Sequence, residues 1–237
     1  MASKAEGGWD CVAPSAISFG GKYPVPKELT VAEIKTLVKS FADSAKRAVM
    51  AGFDLVEIHA AHGYLIHQFL SPISNKRNDE YGGSFENRIR FFIEITEAVR
   101  KAIPDAMPLF ARISASDWLE DGWTIDESVE LCKLLKSVGV DLIDVSSGGT
   151  SSGAPVPVGP GYQVPFAERI RRESNIFTCA VGLITEAHQA NEVVESGRAD
   201  AVMMAREFLR NPRWPLQAAK ELNAEVSWPN QLLRGKS

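Results

Sequence analysis

The chain has 237 residues, is 45% hydrophobic and 24% charged, and carries a formal net charge of -4, which suits one domain with a large core. That charge gives no electrostatic footprint for nucleic acid, and no uncharged apolar run approaches the ~18 residues of a membrane helix. Cys11, Cys132 and Cys179 lack metal-type or redox-type spacing, so reduced structural thiols and a cytoplasmic location are expected.

In chain order, residues 1 to 29 are polar and punctuated by Pro14, Pro24 and Pro26, and read as a loop or extended arm. Thr30 with Glu33 forms a capping box. The helix behind it carries Ile34, Leu37, Val38, Phe41, Ala45 and Ala48 on one face and ends near Gly52. A strand is expected over Phe53 to Ile58. The same helix-then-strand rhythm returns four times. Asn87 to Ala102 leads to Leu109 to Ile113, Ile125 to Ser137 to Val140 to Val145, Phe166 to Glu173 to Phe177 to Val181, and Ala187 to Ser196 to Ala201 to Met204. Strands separated by helices pair in parallel, and their continuous apolarity implies that both faces are covered. No strand is followed by a G-x-G-x-x-G turn, whereas polar residues collect at strand C-termini, as in a (β/α)8 barrel. The fold expected is α/β, a partial TIM barrel of about five βα units in a single domain.

His59, His62 and Tyr64 fall within six residues directly after the first of these strands, delivering two imidazoles and a phenol to one rim. Such a set polarises a carbonyl or nitro oxygen and supplies a proton. Zinc binding would need a third protein ligand, and none offers itself nearby except Glu57, which points to the other side of the strand from Ile58, so no metal site is expected. Core packing of the two histidines is the plain alternative. Arg112 sits inside an apolar strand, where an unpaired guanidinium is costly. It should meet an anion or a polarised heterocycle, or else an internal partner such as Asp117 or Glu57. Ser146 to Gly149, Val181 to Leu183 and Ala205 to Glu207 follow the last three strands. Small residues there admit a phosphate to backbone N–H groups, and Arg206 adds a bidentate charge. The segment Asp79 to Arg88 reads as an architectural loop opening a helix at Ser84.

The run from His59 through Ser71-Pro-Ile-Ser-Asn75, with Asp79-Glu-Tyr-Gly-Gly-Ser-Phe-Glu-Asn-Arg88, Arg112-Ile-Ser-Ala-Ser-Asp117, Asp144-Val-Ser-Ser-Gly148, Ala180-Val-Gly-Leu-Ile-Thr185 and Ala205-Arg-Glu-Phe-Leu-Arg-Asn-Pro212, closely resembles the Old Yellow Enzyme family, in its thermophilic-like or xenobiotic reductase branch. The resemblance implies an FMN-dependent, NAD(P)H-driven reduction of the C=C bond of an enone or a nitroalkene. It makes His59 and His62 the pair that binds the activating oxygen, and Tyr64 a proton donor or substrate contact. Arg112 would lie against the pyrimidine side of the flavin. Ser146, Gly182 and Arg206 would hold the FMN phosphate with backbone contacts from Leu183 and Ala205, and Arg234 would reach a neighbouring subunit's substrate site. It also implies three further βα units ahead of those seen here, to be supplied by a complementing chain or by exchange within a homo-oligomer. A non-redox isomerase or cyclase using the His/Tyr set without FMN, and an inactive truncated chain acting as a binding module, are the competing expectations. Neither nucleic acid nor a membrane is an expected partner.

Overall fold

A computed structural model describes residues 4–236. Two short strands, β1 (Val12–Ala13) and β2 (Lys27–Glu28), pair in parallel and tack down the segment read from sequence as an arm. Then follow α1 (Val31–Met50), β3 (Val56–Ala60), α2 (Leu65–Leu70), α3 (Phe85–Arg100), β4 (Leu109–Ser114), α4 (Ile125–Ser137) and β5 (Leu142–Ser146). After these come α5 (Val164–Ser174), β6 (Phe177–Ala180), α6 (Ala187–Glu195), β7 (Ala201–Val202), α7 (Arg206–Arg210) and α8 (Trp214–Glu221), with short 3-10 turns at Lys4–Glu6 and Asn230–Gly235.

The expected capping box forms: the Thr30 hydroxyl accepts from the Glu33 N–H, and the Glu33 carboxylate accepts from the Thr30 N–H at 2.9 Å. Thr124 and Glu127 repeat the device on α4. Ser84 caps α3, as its side chain accepts from the Asn87 N–H. The first strand of the rhythm lies later than its apolar run suggests, over Val56–Ala60 rather than Phe53 to Ile58. Phe53 to Leu55 are spent on the connection from the positive-φ Gly52, and all three are exposed. The last strand keeps only Ala201–Val202 of the expected Ala201 to Met204.

Strands β3 to β7 form one parallel sheet in chain order, so β3 and β7 are its two edges and the ring is not closed among the described residues. One face is buried under the helices, through Ile58, Ala60, Leu109, Ala111, Ile113, Ile143 and Val145. The other face is open, and register stacks its residues in rows. Glu57, Phe110, Leu142 and Phe177 align in one row, and His59, Arg112, Asp144, Cys179 and Ala201 align in the next, nearer the strand C-termini. Phe177 is 64% exposed, which is unusual for the middle of a βα array and marks this face as uncovered.

Candidate active site

His59 ends up inside β3, pointing with Glu57 to the open face, while the chain turns sharply just beyond it. His62 holds a left-handed backbone, φ 59°, and Gly63 follows at φ 72°. Two contacts fix that turn. The His62 N–H donates to Ser114 Oγ at 2.9 Å, and the same hydroxyl donates to the Gly148 carbonyl at 2.8 Å, linking the ends of β3, β4 and β5. The His59 ring lies 5.2 Å from that of His62 and 5.4 Å from that of Tyr64, so the three expected groups do form one cluster. Burial and then the Arg112 charge lower the proton affinity of both imidazoles, His62 to about 4. Both rings are therefore neutral at pH 7, each with one N–H to offer an oxygen.

Arg112 lies beside His59 on one side and Asp144 on the other. Its expected internal partners were Asp117 or Glu57; the structure gives it Asp144 instead, with Nε 3.1 Å from Oδ2. That separation is an ion-pair distance, yet neither Nε nor either carboxylate oxygen has an aligned hydrogen bond. We take the contact as Coulombic, with the hydrogen-bonding capacity of the carboxylate left unspent. Burial pushes the Asp144 carboxyl up to about 7, opposed by Arg112 and reinforced by Glu57. Asp117 is unavailable to Arg112 because it is committed elsewhere: it sits 3.1 Å from His67 Nε2 in a fully buried pair.

A cavity of about 440 Å³ is lined by His62, Arg112, Ser146, Gly182, Leu183, Ala205 and Arg206 together. Seven of the ten residues singled out from sequence thus share one space, and His59 and Tyr64 adjoin it through their ring contacts with each other and with His62. Gly182 has φ 127° and Leu183 φ 48°, a turn that presents backbone to the cavity. Arg206 is exposed at the start of α7 and makes no ion pair among the described residues. The hydroxyl of Ser146 donates to the Ile113 carbonyl at 2.8 Å and so braces the sheet. The neighbouring Ser147 hydroxyl accepts from Trp118 Nε1 and donates to Gln163 Oε1, and both Ser147 and Gln163 line the cavity. Arg234 lies in the C-terminal 3-10 turn and does not line this cavity. Among the described residues no three His, Cys, Asp or Glu side chains are grouped to hold a metal, and no described helix is long and apolar enough to cross a membrane.

The cavity volume, the Arg112 guanidinium lining it, Arg206 without an ion pair among the described residues and the Gly182 turn fit a flat heterocycle bearing a phosphate. A parallel βα sheet with polar groups gathered at its strand C-termini around one cavity is the arrangement on which barrel enzymes build their sites. Comparison with known proteins agrees. The model of the NADH:flavin oxidoreductase / NADH oxidase family matches residues 3–225, and the chain belongs to that family. It is 56% identical over 232 residues to an NADPH dehydrogenase of Geobacillus thermodenitrificans, a match covering 98% of this chain and 67% of the relative. A 2-naphthoyl-CoA reductase complexed with 2-naphthoyl-CoA superposes with a TM-score of 0.84 at 31% identity, over 90% of this chain and 33% of its own. An old yellow enzyme homologue from Zymomonas mobilis superposes at 0.75 and 27% identity, over 92% of this chain and 63% of its own. The chain thus spans about two thirds of the curated relative and a third of the naphthoyl-CoA reductase. Membership places it among the oxidoreductases, with FMN and NAD(P)H as the cofactors that go with the family.

Proposed function

We propose that this chain provides the substrate-activating and phosphate-binding side of an FMN-dependent NAD(P)H oxidoreductase that reduces the C=C bond of α,β-unsaturated carbonyl or nitro compounds. The observation that carries the reading is the pair of neutral imidazoles, with His62 opening alongside Arg112 onto one cavity and His59 adjoining it 5.2 Å from the His62 ring. FMN, when bound, supplies a hydride equivalent drawn from NAD(P)H. His59 and His62 donate their N–H groups to the substrate's carbonyl or nitro oxygen and stabilise the negative charge that grows there as the alkene accepts hydride. Each such donor contributes roughly 3 kcal/mol to an oxyanion-type transition state. Because both rings are neutral at pH 7, they stabilise that oxygen by hydrogen bonding and leave proton delivery to another group. Tyr64 stands at the rim, 63% exposed and 5.4 Å from His59, and serves as the proton donor or as a substrate contact. Arg112 would hold the polar side of the heterocycle. The Gly182 and Leu183 turn, Ala205, Arg206 and the backbone at Ser146 would hold the phosphate, with Arg234 a contact to a neighbouring subunit's substrate.

The open row Phe110, Leu142 and Phe177, between two unpaired strand edges, implies that further βα structure covers this face in the working enzyme, from a complementing chain or from a second copy. The test is a titration of the purified chain with FMN, alone and with the remaining βα portion of the Geobacillus relative supplied as a separate chain, followed by NADPH oxidation with 2-cyclohexenone. Flavin binding and enone reduction in either arm support the proposal. A colourless protein that turns over enones by isomerisation, or no binding in both arms, refutes it.

A further inference from the structure

We propose that His67 and Asp117 act as a positioning pair that holds His62 in its left-handed turn, so that a buried carboxylate sets the aim of the oxygen-binding imidazole without touching substrate. The inference rests on the reading of His62 as an oxygen-binding group. It begins with where the turn is gripped. The Gly63 N–H donates to His67 Nδ1 at 2.9 Å, which assigns the ring proton of His67 to Nε2, facing Asp117 Oδ1 at 3.1 Å. The Gly63 carbonyl accepts from Gln68 Nε2 at 2.7 Å, so both backbone polar groups of Gly63, one from each peptide flanking its Cα, are held by α2.

Asp117 then ties α2 to two further loops. Its Oδ2 accepts from Ser71 Oγ at 2.6 Å and from the Trp123 N–H at 2.8 Å, and its Oδ1 accepts from Thr150 Oγ1 at 2.6 Å. Each of these contacts brings a donor to the carboxylate, which suits a permanent anion. Burial alone would raise its pKa; hydrogen bonds from His67, Ser71 and Thr150 outweigh that and hold it at about 2. Thr150 follows Gly149, and the two loops touch closely: a Cβ on Gly63 would lie 2.1 Å from the Gly149 carbonyl oxygen, and one on Gly149 would lie 2.5 Å from His62 Cα. The His62–Gly63 turn is therefore pressed against the Gly148–Gly149 loop from one side and pulled by His67 from the other, with Asp117 anchoring both.

A positive φ at a non-glycine residue costs about 1 to 2 kcal/mol and persists where surroundings over-determine it. Here the surroundings are one ionic hub. Removing it should let residue 62 relax to a negative φ and swing its imidazole toward water.

The test is the titration of the His62 ring by 15N NMR in the full chain, without flavin or alkene. In the native chain its midpoint should lie near 4, set by burial and by the neighbouring Arg112, His59 and His67. In Asp117→Asn and in His67→Leu we expect that midpoint to rise by more than one pH unit toward the ordinary value of ~6.5, a more than tenfold gain in proton affinity. His67→Asn restores an acceptor for the Gly63 N–H, and should keep the midpoint low. Should either of the first two fail to fold, Thr150→Val, which removes a single hydroxyl donor to Asp117, should raise it by a smaller but measurable amount. An unmoved or lowered His62 midpoint in folded Asp117→Asn or Thr150→Val overturns the proposal, because His67→Leu also removes a charge that itself lowers His62. A merely structural role would lower melting temperature without this shift. Since no flavin takes part, failure of the oxidoreductase reading leaves the result interpretable.

Discussion

Replacing Asp144 with asparagine should change how stability depends on pH more than it changes stability itself. The Asp144 side chain has no exposure to solvent, and neither of its oxygens has an aligned donor. Its carboxyl therefore stays protonated up to about 7, against an ordinary value of 3.8. A carboxyl whose folded-state pKa is raised binds a proton more tightly in the folded chain than in the unfolded one. Its contribution is fully present below 3.8 and is lost as pH climbs through the interval to about 7. At about 1.4 kcal/mol for each pH unit in that interval, the native chain should lose roughly 4 kcal/mol from this group between pH 4 and pH 8. The amide in Asp144→Asn fills the same space and cannot ionise. Urea unfolding of both proteins at half-unit steps from pH 4 to pH 8 should thus give curves that lie close together at pH 4 and separate by about 4 kcal/mol in favour of the variant at pH 8. Parallel curves would show that the carboxylate is already ionised and well paired with Arg112 at low pH, and would refute the reading of a buried carboxyl that holds its proton for want of aligned donors.

Four other substitutions bear on the site and the sheet. His62→Ala should lower kcat for enone reduction by about 100- to 1000-fold in steady-state assays of the complemented enzyme, as loss of one oxyanion donor does elsewhere. Arg206→Ala should weaken FMN by ten- to a hundredfold in a fluorescence titration and leave riboflavin, which lacks the phosphate, unchanged. Gly63→Ala puts a methyl 2.1 Å from the Gly149 carbonyl oxygen at φ 72°, and should destabilise the chain by at least ~2 kcal/mol in thermal melts. Phe177→Ser, on the uncovered face, should change the stability of the isolated chain by less than ~1 kcal/mol while abolishing association with a complementing βα chain in sedimentation.

The periodic parts of the chain are readable because burial on one helix face, or under the helices on one sheet face, imposes its pattern locally, although the apolar strands wrongly suggest that the second sheet face is covered too. The helices α1, α3, α4, α5 and α6 and the parallel rhythm follow from such patterns, and Thr30 shows its cap in plain sequence. Short elements held by tertiary contacts are not readable. The pairing of Val12–Ala13 with Lys27–Glu28 and the six-residue helix α2 have too few residues to carry a period. The start of β3 falls three residues after the start of its apolar run, because Phe53 and Leu55 look like core residues and yet are exposed.

At the site, sequence identifies the groups that face the cavity and misses those that hold them. Arg112 needs an anion, but which carboxylate it meets depends on strand register, which places Asp144 opposite it and Asp117 out of reach. An Asp within Leu142-Ile-Asp-Val145 is a visible signal, as an acid in an apolar strand demands a partner as much as an Arg does. The clamp of Ser114, His67, Asp117 and Thr150 joins the end of β4, helix α2 and two loops that are dozens of residues from α2 in sequence, and no local pattern reports it. The hydroxyl of Ser146 also satisfies a carbonyl on the neighbouring strand, a sheet-bracing role that the sequence does not report.

The central claim is that His59, His62, Arg112 and the phosphate cradle surround one flavin. With four histidines in the chain, 15N-histidine and 15N-arginine NMR during an FMN titration reads it directly. We expect saturable shifts of the His59 and His62 rings and of the Arg112 and Arg206 guanidinium groups, with surface His188 unmoved. Saturable FMN binding that leaves residues 59, 62 and 112 unshifted would place the cofactor elsewhere and contradict the claim.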